Sequence, residues 1–229
     1  MRKHKLFISL SLALIFMMST VMGASAESID TSAKVIGNNE NNITYSGIIE
    51  LERSDFDKIF ESDGPVYLGD GLWAEELTYE EMAQQIAKNR NVSEKYVRSL
   101  LSERSSEPNY YYTHFYQQFE VGDTGWFPQI DFYIKCEGIY RDFIKVEDLN
   151  LIRSYNYISK QFTGKLQAKV EDVKSIYWVI NGDFYNNGTT KQSFSGGVSA
   201  SDYATLSFSI ESQNNHFGYV YKTGNLRNR

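Results

Sequence analysis

Beyond residue 26 the chain holds two histidines, His114 and His216, and its single cysteine is Cys136. Zinc and iron sites draw three or four ligands from spacings such as HxH, HExxH or CxxC. None of these occurs, so neither a metal nor another cofactor is expected. Cys136 shares strand parity with Ile130, Phe132 and Ile134, which makes it a small core residue rather than a nucleophile paired with either histidine. No GxSxG, SxxK or P-loop pattern is present, and the turns GDTG and NGDF lack the ligand density of a calcium loop. Carboxylates are the one catalytic resource left. Asp123, Asp131, Glu137, Asp142, Asp183 and Glu211 could meet in space as the acid and nucleophile of a glycosidase, a chemistry that needs only two carboxyls about 5–9 Å apart. Solvated strand faces and turns are the commoner place for such residues.

Aromatic rings carry the stronger signal. With 17 Tyr, 14 Phe and 3 Trp they form 15% of the chain, and most lie beyond residue 109. In NYYYTHFYQQF one face presents Tyr110, Tyr112, His114 and Tyr116, and the other Tyr111, Thr113, Phe115, Gln117 and Phe119. One face should enter a core and leave the other near the surface. Exposed rings supply flat apolar area with a hydrogen-bonding tip, which suits sugar stacking or protein contact. Trp73 in GDGLWAE and Trp126 in GDTGWFP read as loop tryptophans. With Tyr110, Tyr112 and Tyr116 they are the candidate ligand-binding residues. Trp178 alternates with Ile176 and Ile180 and reads as core, which is also the commonest use of such rings in general.

Elements must hold these groups in place. Over residues 48–107 the pattern is helical. Ser54-Asp55-Phe56-Asp57 can open a short helix, which GPVYLGDG then breaks. Thr78 and Glu81 form a capping box ahead of Met82, Ile86 and Ala87, and Ser93 is a second N-cap ahead of Val97, Leu100 and Leu101. The stretch LTYEEMAQQIAKNRNVSEKYVRSLL has the spacing of a DNA-reading helix-turn-helix, with Ala87 and Asn91 at the small and turn positions. Arg90 stands where that motif wants an apolar residue, and the second helix balances Lys95, Arg98 and Arg104 against Glu94 and Glu103. That face is solvated rather than phosphate-seeking. The stretch is therefore expected to be an amphipathic helical hairpin.

Beyond Pro108 the period changes to two. Segments around 110–121, 130–136, 140–146, 166–170, 176–182, 204–210 and 217–222 read as strands, with turns at GDTG, YNNG, SGG and SQNN. This predicts an α+β chain: a helical segment, 48–107, followed by an antiparallel β-sandwich, 108–229, of Ig-like or jelly-roll-like type.

The first residues place Arg2, Lys3 and Lys5 before an apolar run from Leu6 to about Met18, followed by Ala24-Ser25-Ala26. This is the pattern of a secretory signal peptide, 1–26, cleaved after Ala26 and followed by a polar leader, 27–47. The apolar run is shorter than the roughly 20 residues needed to span a bilayer, and no later segment is apolar enough to do so. Cleavage removes three basic residues and no acidic one, taking the formal charge from −6 to −9. A chain so acidic repels phosphate backbones, so nucleic acid is not an expected partner. One cysteine allows no internal disulfide, which fits an exported bacterial protein with a core large enough to need none.

The portion INGDFYNNGTTKQSFSGGVSAS, continued by ATLSFSIES and NNHFGYVYK, resembles the tail of small exported proteins of Gram-positive bacteria grouped as families of unknown function. The resemblance implies a secreted, non-enzymatic module. The expected function is extracellular binding to an envelope or matrix glycan, or to a partner protein. The alternatives are a secreted hydrolase with paired carboxylates, and a self-assembling surface or pore-forming protein, to which the Ser/Thr-rich strands KQSFSGGVSAS and ATLSFSIES would contribute.

Overall fold

Alternating apolar and polar residues become strands here because each strand has one face to bury. A computed structural model of the chain describes residues 46–101, 109–196, 203–211 and 214–229. The expected signal peptide, nearly all of the expected leader and the boundary residues 102–108 lie outside these. In chain order the elements are β1 (Ser46–Leu51), α1 (Arg53–Glu61), β2 (Val66–Gly69), β3 (Leu72–Leu77), α2 (Tyr79–Arg90), α3 (Glu94–Leu100), β4 (Tyr110–Gln118), β5 (Gln129–Glu137) and β6 (Asp142–Ile152). The short hairpin β7 (Ser154–Tyr155) and β8 (Ile158–Ser159) leads to β9 (Gln161–Asp172), β10 (Ser175–Asn187), β11 (Thr190–Ser195), β12 (Ala204–Ile210) and β13 (Asn214–Asn228).

Two sheets result. One has the order β1-β13-β10-β9-β12-β11 and the other β2-β3-β4-β5-β6. All pairings are antiparallel except β1 with β13. Phe115, Phe132, Ile134 and Cys136 of the smaller sheet and Phe162, Leu166, Trp178 and Ile180 of the larger one are buried in one hydrophobic cluster. Phe132 and Trp178 meet across it with ring centroids 5.9 Å apart. The fold is thus mostly β with three short helices, an α+β sandwich in its coarse architecture. Among the described residues no helix is long and apolar enough to cross a membrane.

Residues 48–107 contribute strands as well as helices. GPVYLGDGLW, which reads as a break, folds as the β2–β3 hairpin, because Gly69, Asp70 and Gly71 all take positive φ (101°, 47° and 74°) and reverse the chain tightly. Trp73 therefore sits in a strand rather than a loop. Leu51 of β1 and Phe56 and Ile59 of α1 pack in the same cluster as Phe162 and Leu226.

The capped hairpin forms as its sequence predicts. Thr78 and Glu81 exchange bonds of 2.8 and 3.2 Å, and Ser93 Oγ accepts from the Tyr96 amide. Asn91 ends α2 in the left-handed region at φ 53°. Met82, Ile86 and Val97 are buried with Leu77, Tyr112 and Tyr133, so the hairpin lies on the outer face of the smaller sheet. Leu100 stays outside that cluster and is 48% exposed. Arg90 pairs with Asp148 of β6 and lies 4.3 Å from the ring centroid of Phe194. Its charge at a position that a DNA-reading motif keeps apolar is explained by this buried partner.

Candidate functional site

The outer face of the smaller sheet is ordered in cross-strand rows. Leu77 and Tyr112 form the first, beneath the hairpin. Glu75, His114, Tyr133 and Asp148 form the second, and Trp73, Tyr116, Asp131 and Asn150 the third. Rows arise because residues two apart on each strand share a face and the antiparallel register aligns them.

The second row is a buried polar line. The Nδ1 atom of His114 lies 2.9 Å from Oε1 of Glu75, which as a carboxylate can only accept, so Nδ1 carries the proton. Gln85 of α2 donates to the same oxygen at 3.1 Å. The His114 Nε2 atom is 3.7 Å from Asp131 Oδ1, an ion-pair distance rather than a hydrogen bond. Asp131 in turn accepts from Gln129 at 2.6 Å and Asn150 at 2.9 Å. The imidazole stacks on Tyr133 with centroids 4.5 Å apart and planes at 4°. The Tyr133 hydroxyl accepts from Asn89 of α2 at 3.1 Å, which ties the sheet to the hairpin.

These contacts set the charges. Burial works against a proton on His114, but Asp131 and Glu75 more than offset it and its pKa is raised. The bond from His114 holds the Glu75 carboxyl below its usual range. Burial pushes Asp148 up to about 7 despite Arg90 beside it. Among the described residues no three histidine, cysteine or acidic side chains converge to hold a metal ion. The two carboxylates instead flank opposite edges of one imidazole.

The third row is aromatic toward its open end. Trp73 and Tyr116 stack with planes at 2° and centroids 6.3 Å apart, and Tyr67 of β2 meets Trp73 at 5.1 Å and 52°. Tyr67 is 56% and Trp73 37% exposed, while Tyr116 is half-buried against His114, 5.0 Å between centroids. Three rings on adjacent strands thus make a stepped platform that borders the Glu75–His114–Asp131 line. An open cleft of about 500 Å³ adjoins Glu75, between β3 and Gln84, Gln85 and Lys88 of α2.

The sequence-predicted ligand residues divide in space. Trp73 and Tyr116 come together. Tyr110 and Tyr112 share the same face of β4, but Tyr112 is 6% exposed beneath α2, edge-on to Tyr79, and Tyr110 is half-buried with the Lys135 ammonium over its ring. Trp126 is 4% exposed; it packs edge-on to Phe184 and Phe217, and its indole N–H donates to the Ile158 carbonyl at 3.2 Å. Tyr67 was not among the candidates. The alternation Val66-Tyr67-Leu68 before a Gly-Asp-Gly turn could have found it, since that hairpin places Tyr67 opposite Trp73.

The carboxylates named for hydrolysis are spread over both sheets. Asp131 is held as described, Asp142 pairs with Lys174, Asp183 with His216, and Glu211 with Lys191. Glu137 faces Asp142 across the β5–β6 hairpin. Cys136 points to the core with its thiol pushed up to about 12 by burial, whereas His114 is on the opposite face of the sheet.

No family model, curated protein or solved structure matches the chain. Function must therefore be argued from the site itself.

Proposed function

We propose that the chain is an exported, non-enzymatic binding protein of the bacterial cell surface or its surroundings, and that it recognises glycans through the Tyr67–Trp73–Tyr116 platform. The observation that carries this reading is the platform: rings from three adjacent strands, two of them coplanar to within 2° and one well exposed, set beside polar side chains that are already oriented. A sugar ring offers one apolar face of C–H groups and a rim of hydroxyls. The exposed rings of Tyr67 and Trp73 suit the face, and Glu75 and the hydroxyls of Tyr67 and Tyr116 suit the rim. Pre-organisation matters because a side chain ordered before binding loses less entropy on contact. The signal-peptide pattern of residues 1–26 supports export of such a module, and the acidic charge that its removal would leave disfavours nucleic acid as a partner.

The experiment is a glycan array with a cell-wall pull-down, using the chain from residue 27 onward. Retention of the wild type and at least tenfold weaker retention of Trp73→Ala and Tyr116→Ala, about 1.4 kcal/mol each, is the expected result. If neither assay retains the wild type, the reading fails. Tryptophan fluorescence gives an independent readout. Trp126 and Trp178 are buried, so a ligand-induced change reports on Trp73.

A further inference from the structure

A second concavity lies away from the aromatic platform, where α1 meets the β5–β6 turn. It has a volume of about 330 Å³, and its walls include Arg53, Phe60, Ile139, Tyr140, Arg141 and Arg229. Three of these are large apolar residues left in solvent: Phe60 is 61%, Ile139 70% and Tyr140 59% exposed. Three others are guanidinium groups. Asp57 is the one acidic side chain among the described residues of the lining.

Arg141 is held there by several independent contacts. It takes φ 52° at the end of the turn, and Asn228 donates to the carbonyls of Tyr140 and Arg141 at 2.7 and 3.0 Å, which fixes that turn. Its guanidinium carbon lies 3.3 Å from the ring centroid of Tyr111 and 5.3 Å from that of Phe60. The Nη2 atom meets Glu76 Oε2 at 3.1 Å, whereas Nη1 is buried without a hydrogen-bond partner among the described residues. The residue as a whole is 9% exposed. Arg229 is engaged by Glu50 and Glu52. Arg53 lies 5.7 Å from the Tyr140 ring centroid and forms no ion pair among the described residues. Among the described residues Arg53 is thus the guanidinium of this lining without a carboxylate partner, and it stands beside the exposed side chains of Phe60, Ile139 and Tyr140.

We infer that this concavity binds a single-chain amphipathic oxyanion, a carboxylate or phosphate head on an apolar body. The head takes the Arg53 guanidinium at the rim, and the apolar body lies along Phe60, Ile139 and Tyr140. Guanidinium groups beside aromatic rings are partly desolvated, which strengthens their charge-assisted bonds to an oxyanion. Neither the head nor the body alone matches this combination. The site is independent of the glycan platform and shares no residue with it.

The test is calorimetric titration of the purified chain with dodecanoate below its micelle concentration, beside acetate and dodecyltrimethylammonium. Dodecanoate is expected to bind one to one and to weaken as ionic strength rises. Acetate and the cation should bind at least tenfold more weakly. Arg53→Gln and Tyr140→Ser, both at exposed positions, should each weaken dodecanoate at least fivefold while leaving the circular dichroism spectrum and glycan retention unchanged. Arg141 is left intact because removing it would strand Glu76. The inference is overturned if dodecanoate does not bind, if the cation binds equally, or if both variants bind as the wild type does. Phosphatidylglycerol vesicles separate the two sources of such a head. Binding to vesicles together with free dodecanoate supports the site, and binding to vesicles alone overturns it in favour of a membrane-surface contact.

Discussion

At the scale of residues, proton binding in the buried polar line decides how stability follows pH. His114 has a folded pKa raised above its ordinary 6.5, so the stability it contributes is complete below that value and is lost as pH rises through the folded pKa. Asp148, moved from 3.8 to about 7, has the same sign, because the folded state holds a proton that the unfolded chain has released. Its contribution fades between those two values. Glu75 is lowered and works the other way, losing stability only as pH falls below its ordinary 4.5. The melting temperature of the purified chain should therefore fall steadily from pH 5 to pH 8, and Asp148→Asn should flatten the part of that slope below pH 7. A flat profile in the wild type would mean that neither group keeps its proton on folding. The same line holds Glu75 and Asp131 at fixed separations around one imidazole, beside the platform proposed for sugars.

At the scale of elements, the helical hairpin is a cover for the sheet. Its apolar stripe, the capping box and the left-handed Asn91 are all legible from residues 77–101, since they depend on spacings of three and four along one chain. What the stripe covers is not legible there. Met82 is fully buried against Tyr112 and Tyr133 on strands distant in sequence. Truncating it should cost about 2–5 kcal/mol, the range for deleting a buried side chain of this size. Thr78→Ala should cost about 1 kcal/mol through the lost cap. Urea denaturation of both variants checks this order. Equal losses would show that the hairpin is held by its own caps rather than by the sheet. The β2–β3 hairpin was hidden for a different reason: its strands are short and its turn is Gly-Asp-Gly, so the turn signal overwhelms the alternation beside it.

At the scale of the molecule, the first and last described strands lie side by side. β1 runs parallel to β13 in register from Ser46 with Thr223 to Leu51 with Asn228, and Leu51 is buried in the common core. The helical segment and the sandwich thus share one hydrophobic cluster. A chain starting at residue 53 should lose the covering of one edge of the larger sheet, exposing Leu226 and the unpaired backbone of β13. Compared with a chain starting at residue 27, it is expected to melt at least 5 °C lower and to aggregate at lower concentration. An unchanged melting temperature would show that β1 adds nothing to the sheet.

Signals that live within a few residues were fixed by the sequence itself. The caps follow from side-chain chemistry at spacings of three, and the period-two strands and the burial of Cys136 and Trp178 follow from local periodicity, which is a property of backbone geometry. Tertiary structure decided which aromatic rings meet. Trp73 and Trp126 follow similar Gly-Asp motifs, yet one opens to solvent on β3 and the other closes on Phe184 and Phe217. Tyr112 and Tyr116 share one face of one strand, yet α2 covers only the first. Exposure is a property of what lands on a residue from elsewhere, and strand order and helix placement are set by the packing of the whole core rather than by any short stretch of it.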